Sequence, residues 1–170
     1  VSIIANEGYM GVAKFGSDKI DDTKKGHLYN EMVIDLAARA VEIIKYGEAG
    51  PGARGDLENA REIAEAMVVS YGMSEKIGPN SLAASYYEEE DAPVMLDTTR
   101  ELIESEISEL LNAAQKDALN LMRENMDSVE LLVKELLKRK EMKLKEVLEV
   151  TGLELQEYKM PNMDFFTLDA

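Results

Sequence analysis

The run from Asp97 to about Glu124 constrains the fold of this chain more than any other stretch. Leu102, Ile103, Ile107, Leu110, Leu111, Ala114, Ala118, Leu119 and Met122 recur there every three or four residues. That spacing lines one face of a helix and cannot line one face of a strand. The run is therefore read as one long amphipathic helix. Asp97 is placed to cap its start. Asn125-Met126-Asp127 bends the chain into a further helix whose inward face is expected to hold Val129, Leu132, Val133, Leu136 and Leu137. A short third helix, Leu144 to Val150, ends near Gly152.

Upstream, the period is again helical from about Leu28 to Tyr46, with Met32, Val33, Leu36, Ala37, Ala40, Val41 and Ile44 on one stripe and Gly47 as the stop. A second helix runs from Leu57 to about Ser70 and buries Leu57, Ala60, Ile63, Ala64, Met67 and Val68. The alanines of these two helices allow close axial approach. The first residues read differently. Val1-Ser2-Ile3-Ile4 and Tyr9 to Phe15 are β-rich runs about the turn Asn6-Glu7-Gly8, which predicts a two-stranded ribbon. Residues 16–26 are polar and read as a loop that leaves His27 exposed. Residues 80–95, with Pro93 and the run Glu88 to Asp91, read as a solvated, mobile connection. The predicted fold is therefore an all-α helical array with a small two-stranded β-ribbon near the N-terminus, over residues 1–152. Residues 153–170 form a C-terminal tail.

Composition narrows the function classes. A net charge of -15 argues against nucleic acid as a partner, because phosphate neutralisation needs a basic face. The chain has no Cys, which excludes disulfides and thiolate metal sites. No apolar run reaches the roughly 18 residues of a membrane span. Aromatics make up only 6%, so the ten Met are expected in the core. There is no Gly-x-Gly-x-x-Gly, P-loop or Gly-x-Ser-x-Gly pattern. The one histidine, His27, has no relay partner near it in sequence, and Glu88–Asp91 lacks the alternating ligand spacing of a calcium loop.

The stretch Gly50–Pro79 remains. Gly50-Pro51-Gly52-Ala53-Arg54-Gly55 is a glycine-rich turn, and Asp56 stands where it opens into a helix. By residue type Asp56 is an N-cap, accepting a backbone N–H of the first turn.

Ala37-Ala38-Arg39-Ala40-Val41-Glu42, Tyr46-Gly47, Gly52 to Leu57, Ala60, Ala64, Met67-Val68 and Gly72 to Pro79 occur in that order. Together they resemble the peptidase domain of the FtsH family, membrane-anchored AAA+ zinc metalloproteases. The resemblance covers about residues 1–150 and is most specific at Gly72–Pro79. It departs at Ala37-Ala38, where the family carries a Gly pair, and at Pro51, where it carries Thr. In that family two histidines of a His-Glu-x-x-His helix bind zinc, the glutamate activates water, and an aspartate opening a later helix is the third ligand. Asp56 matches that aspartate, a role compatible with capping. Arg39 and Glu42 are expected to support the site through helix-to-helix ion pairs.

The resemblance also implies what this chain lacks. His-Glu-x-x-His would lie just before the strand that Val1 begins, and it is absent here. The chain alone is therefore expected neither to bind catalytic Zn2+ tightly nor to cleave peptides. The Val1 start suggests a piece of a longer protein. The implied parent is a membrane-anchored homo-hexamer with this domain in the cytoplasm, or in an organelle matrix or stroma. Its upstream AAA+ module would use ATP and Mg2+ to feed it unfolded or membrane proteins. The strand Gly8–Val12 would offer an edge for extended substrate. Apolar faces around Ile3, Val12 and Leu36, uncovered by the missing helix, would favour self-association. The alternative is a non-catalytic interaction or oligomerisation domain of the same family.

Overall fold

The structure, a computed structural model, describes residues 1–4 and 24–154. Seven α-helices are present among them: α1 (Lys25–Asp35), α2 (Ala37–Tyr46), α3 (Arg54–Glu65), α4 (Ala83–Tyr86), α5 (Asp97–Glu124), α6 (Met126–Arg139) and α7 (Leu144–Thr151). The long helix α5 is the spine, as its apolar period requires. Helices α1, α2 and α3 pack on it, and α1 packs on α3. Met32, Leu36, Ala40, Ala60, Ala64, Met67, Ile103, Ile107, Ala114 and Ala118 meet in one core. Five of these are alanines, whose small side chains let the helix axes come close. Tyr29 is the aromatic member of that core.

Several expectations are corrected. The helix expected over 28–46 begins earlier and breaks at Leu36, which has φ -81 and ψ -5. The hydrogen bonds Leu36 N–H to Met32 O (3.0 Å) and Ala40 N–H to Leu36 O (3.0 Å) carry the chain through this kink. Leu36 is buried rather than left open by a missing neighbour. His27 sits in the first turn of α1 and is half-buried, not in an exposed loop, because the Lys24 carbonyl accepts its N–H at 2.9 Å and starts the helix. Asp97 is the first helical residue rather than a cap, with the Leu96 carbonyl accepting from Thr99 and Arg100. Residues 80–95 contain α4 and are tied to the body, as described below. Helix α6 buries Leu136 alone, while Val133 and Leu137 lie exposed.

No two-stranded ribbon is seen among the described residues. Ser2 instead makes an isolated antiparallel bridge with Glu141. Ile3 N–H donates to Lys140 O, and Met142 N–H to Val1 O, both at 2.9 Å. The link between α6 and α7 is thus the edge that the first residues pair with. The expected second strand Tyr9–Phe15, its turn Asn6–Gly8, the edge Gly8–Val12 and most of the tail lie outside the described residues.

The candidate functional site at the two ends of α3

Helix α3 is entered through a single 3₁₀ turn, Pro51–Ala53. Gly50 N–H donates to Glu42 Oε2 at 2.8 Å, so α2 holds the start of this turn. Glu42 therefore acts on backbone rather than in an ion pair, and Arg39 pairs with no described carboxylate. The 3₁₀ turn runs straight into Arg54, which places the helix start two residues before Asp56. Asp56 is consequently a first-turn residue and not the N-cap; that position belongs to Ala53, which has no side-chain oxygen. A carboxylate in the first turn still gains from the helix dipole. Asp56 is exposed and makes no hydrogen bond or ion pair with a described residue.

Across from it stands the end of α1. Asn59 Nδ2 donates to Asp35 Oδ2 at 2.6 Å and ties α3 to α1. Burial pushes the Asp35 carboxyl above the usual carboxylate range. The Asn59 hydrogen bond opposes that shift, and the negative charges of Asp56 and Glu31 reinforce it. Asp35 and Asn59 were not singled out in the sequence. The one legible signal was Glu31 and Asp35 four apart, on one face of a helix.

These residues do not fit a zinc ion by themselves. Among the described residues no group of three or more His, Cys, Asp and Glu side chains could hold a metal. His27 lies at the opposite end of α1 from Asp35, eight residues and about 12 Å along the axis, so it cannot join Asp56.

The other end of α3 is built differently. Residues Ala66–Ser70 form a π turn, with Tyr71 N–H donating to Ala66 O at 2.9 Å. The wider turn rotates three successive residues, Met67, Val68 and Val69, into the core. Such turns recur at functional sites. The chain then reverses at Gly72, whose φ is +62 and whose missing Cβ leaves room for Asn80 N, 3.1 Å from where that atom would stand. Ser74, almost fully buried, donates to Glu106 Oε2 at 2.7 Å and accepts Ile77 N–H at 3.2 Å. Lys76 Nζ lies 2.7 Å from Glu106 and 2.8 Å from Glu109, which lifts the lysine to about 12. Lys25 donates to Met73 O. A cavity of about 400 Å³, walled by Tyr29, Met73, Leu110 and Ala113, lies between this loop, α1 and α5.

Residues 80–96 are fastened to α3 and α5. Tyr86 OH donates to Glu104 Oε1 at 2.7 Å, and Arg61 reaches both oxygens of Glu104 at 3.0 Å. Tyr87 OH donates to Glu65 at 2.8 Å, and the Arg100 guanidinium stands 5.2 Å over the Tyr86 ring. Burial and the Glu104 carboxylate raise the Tyr86 phenol to about 12.

The described residues thus form a helical array in which α3 carries an exposed carboxylate at its start and a glycine loop tied to α5 at its far end. Residues 1–150 match the model of peptidase family M41, and the chain belongs to that family. It is 34% identical over 164 residues to the ATP-dependent zinc metalloprotease FtsH 1 of Rhodopirellula baltica, covering 89% of this chain and 24% of that protein. It is 32% identical over 147 residues to the FtsH protein of Rhodothermus marinus, covering 84% of this chain and 21% of that one. FtsH 3 of Petrotoga mobilis gives 32% over 143 residues, 79% of this chain and 22% of that protein. The chain thus spans about a quarter or less of the length of these relatives.

Proposed function

We propose that this chain is part of the peptidase domain of an ATP-dependent zinc metalloendopeptidase, with residues 1–152 as the domain and 153–170 as its tail. In the parent, Asp56 is the third zinc ligand, beside two histidines of a His-Glu-x-x-His helix on another segment. The observation that carries this is the state of Asp56: exposed, without a partner among the described residues, and fixed on the first turn of α3 in a chain of peptidase family M41. The names of the relatives, ATP-dependent zinc metalloproteases, support the same reading. This chain's own residues supply a ligand carboxylate and its mount. The water-activating groups lie elsewhere, so the isolated chain is inactive.

The parent is a membrane-anchored homo-hexamer whose AAA+ module uses ATP and Mg2+, with this domain in the cytoplasm, or in a matrix or stroma. Unfolded or membrane proteins are its substrates. No helix among the described residues is long and apolar enough to cross a membrane. A non-catalytic interaction domain is the second reading, favoured by the departures from the family pattern at Ala37-Ala38 and Pro51. Zinc content and cleavage of an unfolded casein by the parent, wild type against Asp56→Ala, decide between them. Loss of both in the variant supports the ligand role. Equal zinc and equal proteolysis in the two overturn it.

A further inference from the structure

Helix α6 packs on α7 but turns Val129, Val133 and Leu137 toward a groove. Val41 and Tyr46 of α2 form one wall, Val129, Val133 and Leu137 of α6 the other, and the space between is about 740 Å³. Val133 and Leu137 are 49% and 60% exposed. The Lys45–Glu130 ion pair, at 2.6 Å, links the two helices. The end of this groove is the basic part of an otherwise acidic chain. Residues 134–145 carry six Lys and Arg against two Glu, a net of +4 in a molecule of net -15. Lys134, Lys140 and Lys143 are exposed and form no ion pair with a described residue.

A second surface has the opposite character. Residues 88–97 carry five Asp and Glu and no base, and within them Val94 is 95% and Leu96 70% exposed. This segment is held out rather than left loose. Tyr86 and Tyr87 clamp its base to Glu104 and Glu65. Glu88 and Asp91 take φ values of 57 and 66, a left-handed conformation costly for residues with a Cβ.

We propose that the α2–α6 groove is a docking site for residues 88–97 of a second copy of this chain. Val94 and Leu96 enter the apolar part, and Glu89, Glu90 and Asp91 meet Lys134, Lys140 and Lys143. The two surfaces differ, so the contact is heterologous and repeats from copy to copy, the kind of contact that closes a ring. The inference rests on the assembly of the parent proposed above and names the surface that makes it. A ten-residue loop buries less than the ~800 Å² per partner of a stable interface, so the contact is weak in the isolated chain and salt-sensitive.

The test is sedimentation velocity on the 170-residue chain up to about 1 mM, at low and high salt, where a weak Kd registers. One variant carries Glu89→Lys, Glu90→Lys and Asp91→Lys; the other carries Lys134→Glu, Lys140→Glu and Lys143→Glu. Each alone should associate at least about tenfold more weakly than wild type, at a few tenths of a decade for each exposed charge pair. An equimolar mixture of the two should recover association, since each reversed loop then faces a reversed groove. That recovery also shows that both variants are folded. A wild-type chain monomeric throughout, single variants that associate like wild type, or a mixture with no recovery would each overturn the proposal. The assay reads assembly without peptidase activity. If the parent were not a ring, the chain would still associate through these charges; if the parent is a ring built on another surface, the reversals would leave association unchanged.

Discussion

Gly72→Ala isolates what the loop after the π turn demands of its backbone. The residue has φ +62, and an added Cβ would stand 3.1 Å from Asn80 N, 3.3 Å from Asn80 O and 3.3 Å from the Pro79 carbonyl carbon. All three are backbone atoms, which cannot swing aside as a side-chain end can. Two costs therefore add. The left-handed conformation costs alanine about 1–2 kcal/mol. Moving a hydrogen-bonded backbone by a few tenths of an ångström is taken as about 1 kcal/mol more, in the range of small-to-large strain. The stiffer unfolded chain returns about 0.4–1 kcal/mol. The expected net loss is about 2 kcal/mol. Gly78 is the control: it has φ +80 in the same loop, and nothing lies within 4 Å of its would-be Cβ. Gly78→Ala should therefore lose only about 1 kcal/mol. Urea unfolding of the two variants and wild type measures both, with unchanged slopes confirming that stability alone moved. Equal losses at the two positions would refute the steric half of the reasoning. No loss at Gly72 would refute all of it.

Other substitutions test other parts of the structure. Ile107→Ala, at a fully buried position on α5, should cost about 2–5 kcal/mol in the same unfolding experiment. Tyr86→Phe should cost about 0.5–1.5 kcal/mol and should also change the alkaline limb of stability. The folded phenol is raised to about 12 from its ordinary 10, so its contribution is complete below pH 10 and is lost as pH rises from there toward 12. Melting curves across that window should fall less steeply in the variant. Asp35 is raised by burial, so folding favours its neutral form, and ionisation at neutral pH works against stability. Asp35→Asn, which keeps an acceptor for Asn59, should gain a few tenths of a kcal/mol at pH 7 once solvent screening is allowed for, with the gain vanishing below the carboxyl pKa.

Which features were legible in the sequence follows from what periodicity can encode. Helix α5 was readable because its apolar spacing never falters, and Ile103, Ile107, Ala114 and Ala118 are buried as that spacing requires. The same rule misjudged α6. Spacing tells which residues share a stripe, not whether a neighbour covers it, and nothing covers Val133 or Leu137 among the described residues. The kink at Leu36 was invisible since the apolar period passes through it unchanged. The π turn did leave a trace, three successive apolar residues where a regular helix would bury two at most on one side. Asp56 was placed at a helix start but not at its position within the turn, because Pro51–Ala53 feeds directly into Arg54. The Asp35–Asn59 contact joins residues 24 apart and depends on how α1 lies on α3, which no local pattern states.

The placement of Asp56 then depends on residues far from it. Asp56 has no partner of its own among the described residues, so its position is inherited from the axis of α3. Ala60 and Ala64, both with no exposed surface, set how closely that axis approaches the α1–α5 core. Asn59 fixes its rotation against Asp35, and Glu42 fixes the entry turn at Gly50. The far end is held by the π turn and the Gly72–Lys76 loop on Glu106 and Glu109. A rigid rod pinned at its middle and both ends transmits displacement from any pin to its tip. In the ligand role proposed for Asp56, that position would have to hold within about 0.5 Å. A larger residue at Ala60 would therefore disturb that position without touching Asp56, and the loop at residues 72–79 restrains the opposite end of the same helix.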